Sequence, residues 1–229
     1  MGTLSINKVD HLLWLGRYME RSFTTMSFIV STYDAALDNA NGAWQGQLEE
    51  LGFDRTTDDP IEFFNTCLFD VNHKSSLRYS MNAAYDNAVH LRDVIGTETL
   101  AYVQMASNSI DAAEHSDAPL LDLQSVHDDI MAFKGCVDEY VDNDAARTII
   151  KCGMSIERLD LFTRLSYQLE KLPQEVHRLA TRIDRAAGTG YSKAHLKVVI
   201  ETVFDPAFPG NMTYERQGEL LTHIAGIFG

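Results

Sequence analysis

Leu12, Leu15, Met19, Phe23, Met26, Val30, Tyr33 and Leu37 recur at spacings of three and four. That rhythm places them on one stripe and predicts an α-helix over about 9–37. Asn39 to Gly46 gathers Asn, Gly and Ala in a turn-like cluster, and Asp58-Asp59-Pro60 then supplies a cap and a first-turn proline ahead of Ile61-Glu62-Phe63-Phe64. A short second helix is expected there. Ser75 and Ser76 can cap a third helix carrying Leu77, Met81, Ala84, Ala88 and Leu91 and ending near Gly96, followed by a fourth over 97–114. After Pro119, the positions Leu123, Val126, Ile130, Phe133 and Val137 mark a helix that stops before Asp142-Asn143-Asp144. Those polar residues cap the next helix, which is expected to reach about Lys171. Another runs from Pro173 to about 187 and ends at Gly188-Thr189-Gly190, with further helices at 192–203 and 213–227. No stretch alternates with the period of a strand. The expected fold is all-α, most simply an antiparallel helical bundle. Pro206 and Pro209-Gly210 set the last helix apart, so the expected organisation is a bundle over 1–205 and a C-terminal helical appendage of the same domain over 206–229.

Inside this pattern lies an internal echo. Gly16-Arg17-Tyr18-Met19-Glu20-Arg21 and Gly153-Met154-Ser155-Ile156-Glu157-Arg158 share G-x-x-[M/I]-E-R, and apolar pairs, Leu12-Leu13 and Ile149-Ile150, precede both glycines. The offset is 137 residues throughout, which points to an old duplication of one helix. At about 100° per residue, Arg17 and Arg21 lie opposite the main apolar stripe of their helix, bracketed by Trp14 and Phe28. Arg158 points the same way from its own stripe. Glu20 and Glu157 fall at the stripe's flank, within reach of a cation on a neighbouring helix. Each glycine costs roughly 1 kcal/mol against alanine in a helix, and close approach of two helices is a reason to accept that cost. Two readings of the charged residues follow. In one, Glu20, Arg21, Glu157 and Arg158 form inter-helix ion pairs that fix how the repeats dock; in the other, they line a cleft in which arginine forks hold an anionic or peptide ligand.

Composition narrows the function. The 229 residues carry a net charge of −14 and no run of Lys or Arg, so a nucleic-acid surface would work against the overall field. With 45% apolar and 23% charged residues the chain is suited to a folded core. Cys67, Cys136 and Cys152 are odd in number and far apart, which reads as a cytoplasmic protein without a disulfide framework. No targeting segment and no apolar run long enough to span a membrane is visible. Metal and cofactor motifs are equally absent: no Glu-x-x-His occurs, Asp86, His90 and His73 match no ligand spacing, and Gly188-Thr189-Gly190 follows a helix rather than a strand. The expectation is no metal and no cofactor. Cys152 lacks a paired base and reads as a small core residue.

Trp14-Leu15-Gly16-Arg17-Tyr18-Met19-Glu20-Arg21 resembles the opening signature of the alpha-E domain family, helical bacterial proteins that begin with a W-L-G-R-Y-x-E-R helix. The run from Ser75-Ser76-Leu77 through Asn87-Ala88 to Arg92-Asp93 resembles the family's central helix, and Gly153 to Arg158 its second E-R helix, so the likeness covers about residues 5–170. It places the motif positions on Trp14, Gly16, Arg17, Glu20, Arg21, Asn87, Arg92, Gly153, Glu157 and Arg158. Of these, Arg17, Glu20, Arg21, Asn87, Arg92, Glu157 and Arg158 form the candidate ligand-binding or structural charged cluster, and Trp14, Gly16 and Gly153 are assigned to helix packing. Ser22-Phe23 stands where the family usually has Ala and Glu, and Met154-Ser155 where it has basic residues.

The resemblance implies a partner. Such proteins are usually encoded beside, or fused to, a circularly permuted ATP-grasp protein, which suggests a system that forms or processes amide bonds on a peptide or amino acid. The expected role is therefore a non-catalytic accessory subunit of an ATP-grasp-type ligase that helps bind or present the substrate. A different class stands beside it, a small hydrolase or transferase with Glu20 or Glu157 as general base. Adjacent arginines oppose the raised pKa such a base needs. A free-standing interaction module with an acidic face is a third reading.

Overall fold

The computed structural model describes residues 4–38, 46, 48–54, 57, 59–186 and 190–228. Among them are nine α-helices, one 3-10 turn and no strand. The helices are α1 (Ile6–Asp38), α2 (Pro60–Phe69), α3 (Leu77–His90), α4 (Arg92–Glu114), α5 (Pro119–Tyr140), α6 (Asp144–Arg164), α7 (Leu172–Ile183), α8 (Lys193–Val203) and α9 (Tyr214–Ala225), with the 3-10 turn at Leu169–Lys171. The turn expected over 39–46 falls outside the described residues except for Gly46, as does Gly188-Thr189.

The polar residues that punctuate the chain cap these helices. Asp59 accepts from the Ile61 amide, Ser76 from Tyr79, and Asn143 from both Ala145 and Ala146. Each satisfies a donor that the helix start leaves unpaired. Two boundaries differ from the sequence pattern. The third helix already breaks at Leu91, which joins α3 to α4, and Gly96 then interrupts α4 at φ 79°, a left-handed conformation that glycine adopts without strain. The sixth helix stops at Arg164 instead of running to Lys171. There Ser166 takes φ 47°, its amide donates to Thr163 O and the Tyr167 amide to Phe162 O, closing the helix end as a Schellman turn without its usual glycine. Tyr167 also packs edge-on against Phe162, the apolar contact that accompanies this turn.

α1 and α6 are the axis of the molecule. Six successive residues of α6, Cys152 to Glu157, are buried, so this helix is enclosed on every side. Its longest neighbour is α1, and α3, α5, α7 and α9 pack around the two. Contacts between α1 and α6 join residues separated by a nearly constant 134–140 positions, from Leu13–Gly153 and Gly16–Ile150 through Arg17–Glu157 to Glu20–Arg158 and Arg21–Glu157. A constant offset means the two helices run in the same direction. The surrounding pairs run oppositely, as when Arg78 at the start of α3 reaches Asp111 and Glu114 at the end of α4. α9 fastens onto the end of α6: the Gln217 side chain donates to the carbonyl of Thr163, which also takes the Ser166 amide, and to that of Arg164, in the last turn where a helix leaves acceptors without helical partners. Among the described residues no helix is long and apolar enough to cross a membrane.

Candidate functional site

Gly16 and Gly153 set the distance between the two repeat helices. A Cβ on Gly16 would lie 2.9 Å from the backbone carbon of Ile150 and closer still to its oxygen. One on Gly153 would lie 3.1 Å from the Arg17 amide nitrogen and would run into the Leu13 carbonyl. These two contacts exchange under the 137-residue offset, Gly16 with Gly153 and Ile150 with Leu13. The helix pair therefore has a local pseudo-two-fold axis, and backbone meets backbone where it passes.

One to two turns further on, the charged residues repeat the symmetry. Arg158 donates from Nε to Glu20 Oε1 at 2.9 Å and from Nη2 to Oε2 at 2.5 Å, a two-pronged pair. Reciprocally, Glu157 accepts from Arg21 Nε at 2.5 Å and from Arg17 Nε at 2.8 Å. Each E-R motif thus gives its glutamate to the other helix's arginine. Both carboxylates are fully buried, while the arginine side chains keep about a fifth of their surface. This is the expected inter-helix pairing, with partners that the sequence did not signal. Lys134 of α5 reaches Glu20 Oε2 at 3.1 Å, Thr24 donates to Glu20 Oε1, and Glu175 of α7 accepts from Arg158 at 2.9 Å and Arg178 at 2.5 Å. Lys134 sits one position past Phe133 in an apolar stripe, and Glu175 and Arg178 read alone as a solvated i, i+3 pair. Nothing in either pattern marks a buried role.

Burial is the largest influence on the Glu20 carboxyl and pushes it up, but the charges of Lys134 and Arg158 and their hydrogen bonds outweigh it. The group is held below its ordinary 4.5 and is ionised at neutral pH. Burial likewise pulls the Arg158 guanidinium down, and Glu20 and Glu175 more than reverse the pull. Glu20 and Arg158 thus hold each other in their charged forms at the centre of the cluster.

The remaining candidates lie elsewhere. Asn87 bonds His11 at 2.8 Å and the Ala83 carbonyl at 2.7 Å, and Arg92 is exposed at the start of α4. Neither joins the Glu/Arg cluster among the described residues. Trp14 is 38% exposed; its ring carries the Arg17 guanidinium at 4.5 Å, while Arg21 lies over Tyr18 at 5.4 Å. Its ring contacts are thus with its own helix. His73 stacks on Phe53 and His90 on His11, so the two histidines are not brought together. No group of three or more metal-ligating side chains occurs among the described residues.

The cysteines are buried thiols. Burial pushes Cys67 and Cys152 up to about 12, which leaves almost no thiolate at neutral pH. Iodoacetamide at pH 8 is expected to leave both unmodified for hours in the folded chain and to alkylate both in urea, read by intact-mass spectrometry. Rapid native labelling of Cys152 would contradict this burial.

Two clefts flank the axis, one beside each ion-pair set. That on the Glu20 side, of about 480 Å³, is walled by Phe23, Arg158, Phe162, Tyr167, Glu175 and Arg178. That on the Glu157 side, of about 310 Å³, includes Arg21, Thr25, Asp160 and Arg164.

Fold and site together define an all-helical protein centred on a duplicated E-R helix pair. A family model described as a predicted alpha-helical domain with a conserved ER motif matches residues 7–203, and the chain belongs to this alpha-E family. No curated protein and no solved structure matches the chain.

Proposed function

We propose that this protein is a cytoplasmic, non-catalytic accessory subunit of a bacterial ATP-grasp-type ligase system, and that it helps bind or present a peptide or amino-acid substrate. The observation that carries the non-catalytic part is the saturation of both motif glutamates: Glu20 and Glu157 are each bonded to two cations at zero exposure. A general base needs a free lone pair facing substrate and a pKa tuned toward the working pH. Glu20 is shifted away from that range. The hydrolase or transferase alternative, which needs one of these carboxylates as base, is correspondingly disfavoured. The ATP-grasp partner is inferred from membership of the alpha-E family, and the open clefts beside the axis supply places for a substrate.

Co-purification with an ATP-grasp protein encoded beside this chain, followed by ATP turnover with and without the chain, tests the reading. A stable complex with raised turnover is expected. Absence of a complex together with unchanged turnover would sink the subunit role.

A further inference from the structure

The pseudo-two-fold axis makes the two clefts counterparts, and their linings map onto one another at all six shared positions. Arg21, Thr25, Glu157, Asp160, Leu161 and Arg164 on one side correspond, at the 137-residue offset, to Arg158, Phe162, Glu20, Phe23, Thr24 and Ser27 on the other. A duplicated helix pair starts with two equal clefts. These have diverged, and the divergence has a direction.

On the Glu157 side the additional charges neutralise or turn acidic. Asp160 and Arg164 pair with each other at 2.9 Å, and Glu49 and Glu50 join the lining, so that two cations face four carboxylates. On the Glu20 side those two positions are Phe23 and Ser27, the 3-10 turn contributes Lys171 and α7 contributes Glu175 and Arg178, so that three cations face two carboxylates. Counting the cation that backs each motif glutamate, Lys134 behind Glu20 and Arg17 behind Glu157, keeps the contrast: four cations against two carboxylates on the Glu20 side, three against four on the other. This is a local positive excess in a chain of net charge −14. Focusing of an anion into a partly enclosed cationic cleft follows from that contrast.

Hydrogen-bonding capacity in this cleft is left open. Arg178 uses Nη1 on Glu175 Oε1, no other group among the described residues accepts from its guanidinium, and its side chain is 40% exposed beside the cleft. A free guanidinium edge matches the two oxygens of a carboxylate. Glu175 presents the opposite need. Its side chain is only 4% exposed, its Oε1 takes both arginines, and its Oε2 is buried with no partner among the described residues. A buried carboxylate oxygen without a donor is costly. The terminal torsion of glutamate is soft; turning it swings both oxygens together, so a donor entering the cleft meets this carboxylate by a small turn of the whole group, which the Arg178 side chain, 40% exposed, can follow. Phe23, Phe162 and Tyr167 supply apolar walls beside these two polar poles. Among the lining residues, Gln168 holds φ 49°, a region that side-chain-bearing residues occupy at a cost and that is concentrated at binding sites.

We propose that the Glu20-side cleft binds a small ligand bearing a carboxylate and a nearby N–H donor, with the carboxylate on Arg178 and the N–H on Glu175. That is the chemistry of a free α-amino acid or of the C-terminal residue of a peptide. The Glu157-side counterpart does not take it. The choice of ligand rests on the substrate-presenting reading; the site itself rests on the charge and the open valences of the cleft.

The test uses the full chain alone. Phenylalanine, N-acetylphenylalanine, a tripeptide ending in phenylalanine, and the amide of each are titrated by protein-observed NMR. The acids are expected to shift resonances of α6 and α7 around the cleft, with the amides at least tenfold weaker. Arg178→Ala, at a position exposed enough to leave the fold intact by circular dichroism, is expected to weaken binding at least tenfold, and Glu175→Gln to erase the advantage of N-acetylphenylalanine over 3-phenylpropanoate, which has the carboxylate but no N–H. Arg164→Ala in the opposite cleft is expected to change affinity less than twofold. Tighter binding of the tripeptide assigns the site to a peptide C-terminus, and tighter binding of free phenylalanine to an amino acid. Lack of binding by every acid, equal binding of acids and amides, or indifference to Arg178→Ala overturns the site. Because no ligase is present in the assay, such a failure leaves the co-purification result standing, and a failed co-purification leaves this one standing.

Discussion

Gly153→Ala is expected to destabilise the protein by about 3 kcal/mol or more, at the upper end of what overpacking costs. In an open helix the same change gains up to about 1 kcal/mol. The sign is reversed here because the new methyl group meets backbone, the Leu13 carbonyl and the Arg17 amide, which cannot swing aside as a side chain can. Relief requires α1 and α6 to separate, and separation stretches the Glu20 and Glu157 pairs a turn away. Gly16→Ala should behave alike through Ile150. Gly135→Ala in α5 is the internal control, since its Cβ would meet nothing within 4 Å; it should be neutral or mildly stabilising. Urea denaturation of the three variants decides the matter. A stabilised Gly153→Ala would mean that the axis glycines do not set the helix spacing.

Glu20→Gln is expected to cost about 3–5 kcal/mol, the range for removing one partner of a buried ion pair. The loss comes less from the missing attraction than from Arg158, which stays charged beside a neutral amide, and from Lys134, whose ammonium burial already disfavours and which loses the charge that most opposes that burial. Arg178→Gln, on a more exposed cation at the cluster's edge, should cost under about 1 kcal/mol by the same denaturation measurement. Acid should reproduce the Glu20 effect. Its carboxyl titrates lower in the folded chain than in the unfolded one, so its contribution is complete above the ordinary value of 4.5 and is withdrawn as pH falls below it. The wild-type unfolding midpoint should therefore drop steeply below that pH, and the Glu20→Gln midpoint should drop less. Parallel acid profiles for the two proteins would remove Glu20 from the account.

Helix content was legible because apolar spacing and capping residues are local. The same holds for the E-R echo, whose glycines announced a close helix contact and whose glutamates sat at a flank where a foreign cation could reach them. What stayed hidden was three-dimensional. Lys134 and Glu175 occupy positions with no unusual spacing, and only the arrangement of α5 and α7 around the axis makes them partners of Glu20 and Arg158. Trp14 shares the motif with Gly16 but stacks on its own helix, because aromatic and arginine at i and i+3 meet on one helix face. The end of α6 was missed for a chemical reason: Ser166 takes a left-handed turn that sequence patterns assign to glycine or asparagine. The shared direction of α1 and α6 was also invisible, since a pattern of helices carries no sign for how distant members run.

That shared direction governs the order in which the molecule can assemble. Two parallel helices cannot be joined by a short turn, and the pairs that lock them connect residues 136–140 positions apart. Closing a loop of that length costs about 4 kcal/mol of chain entropy before any contact repays it. The α3–α4 and α4–α5 neighbours, close in sequence, can form first, whereas α1 leaves the ribosome with Arg17, Glu20 and Arg21 unpaired until α6 has been made. The centre of the finished protein thus closes only after most of the chain has been made, and a nascent chain halted before Asp144 would hold a duplicated lock with only one of its two halves.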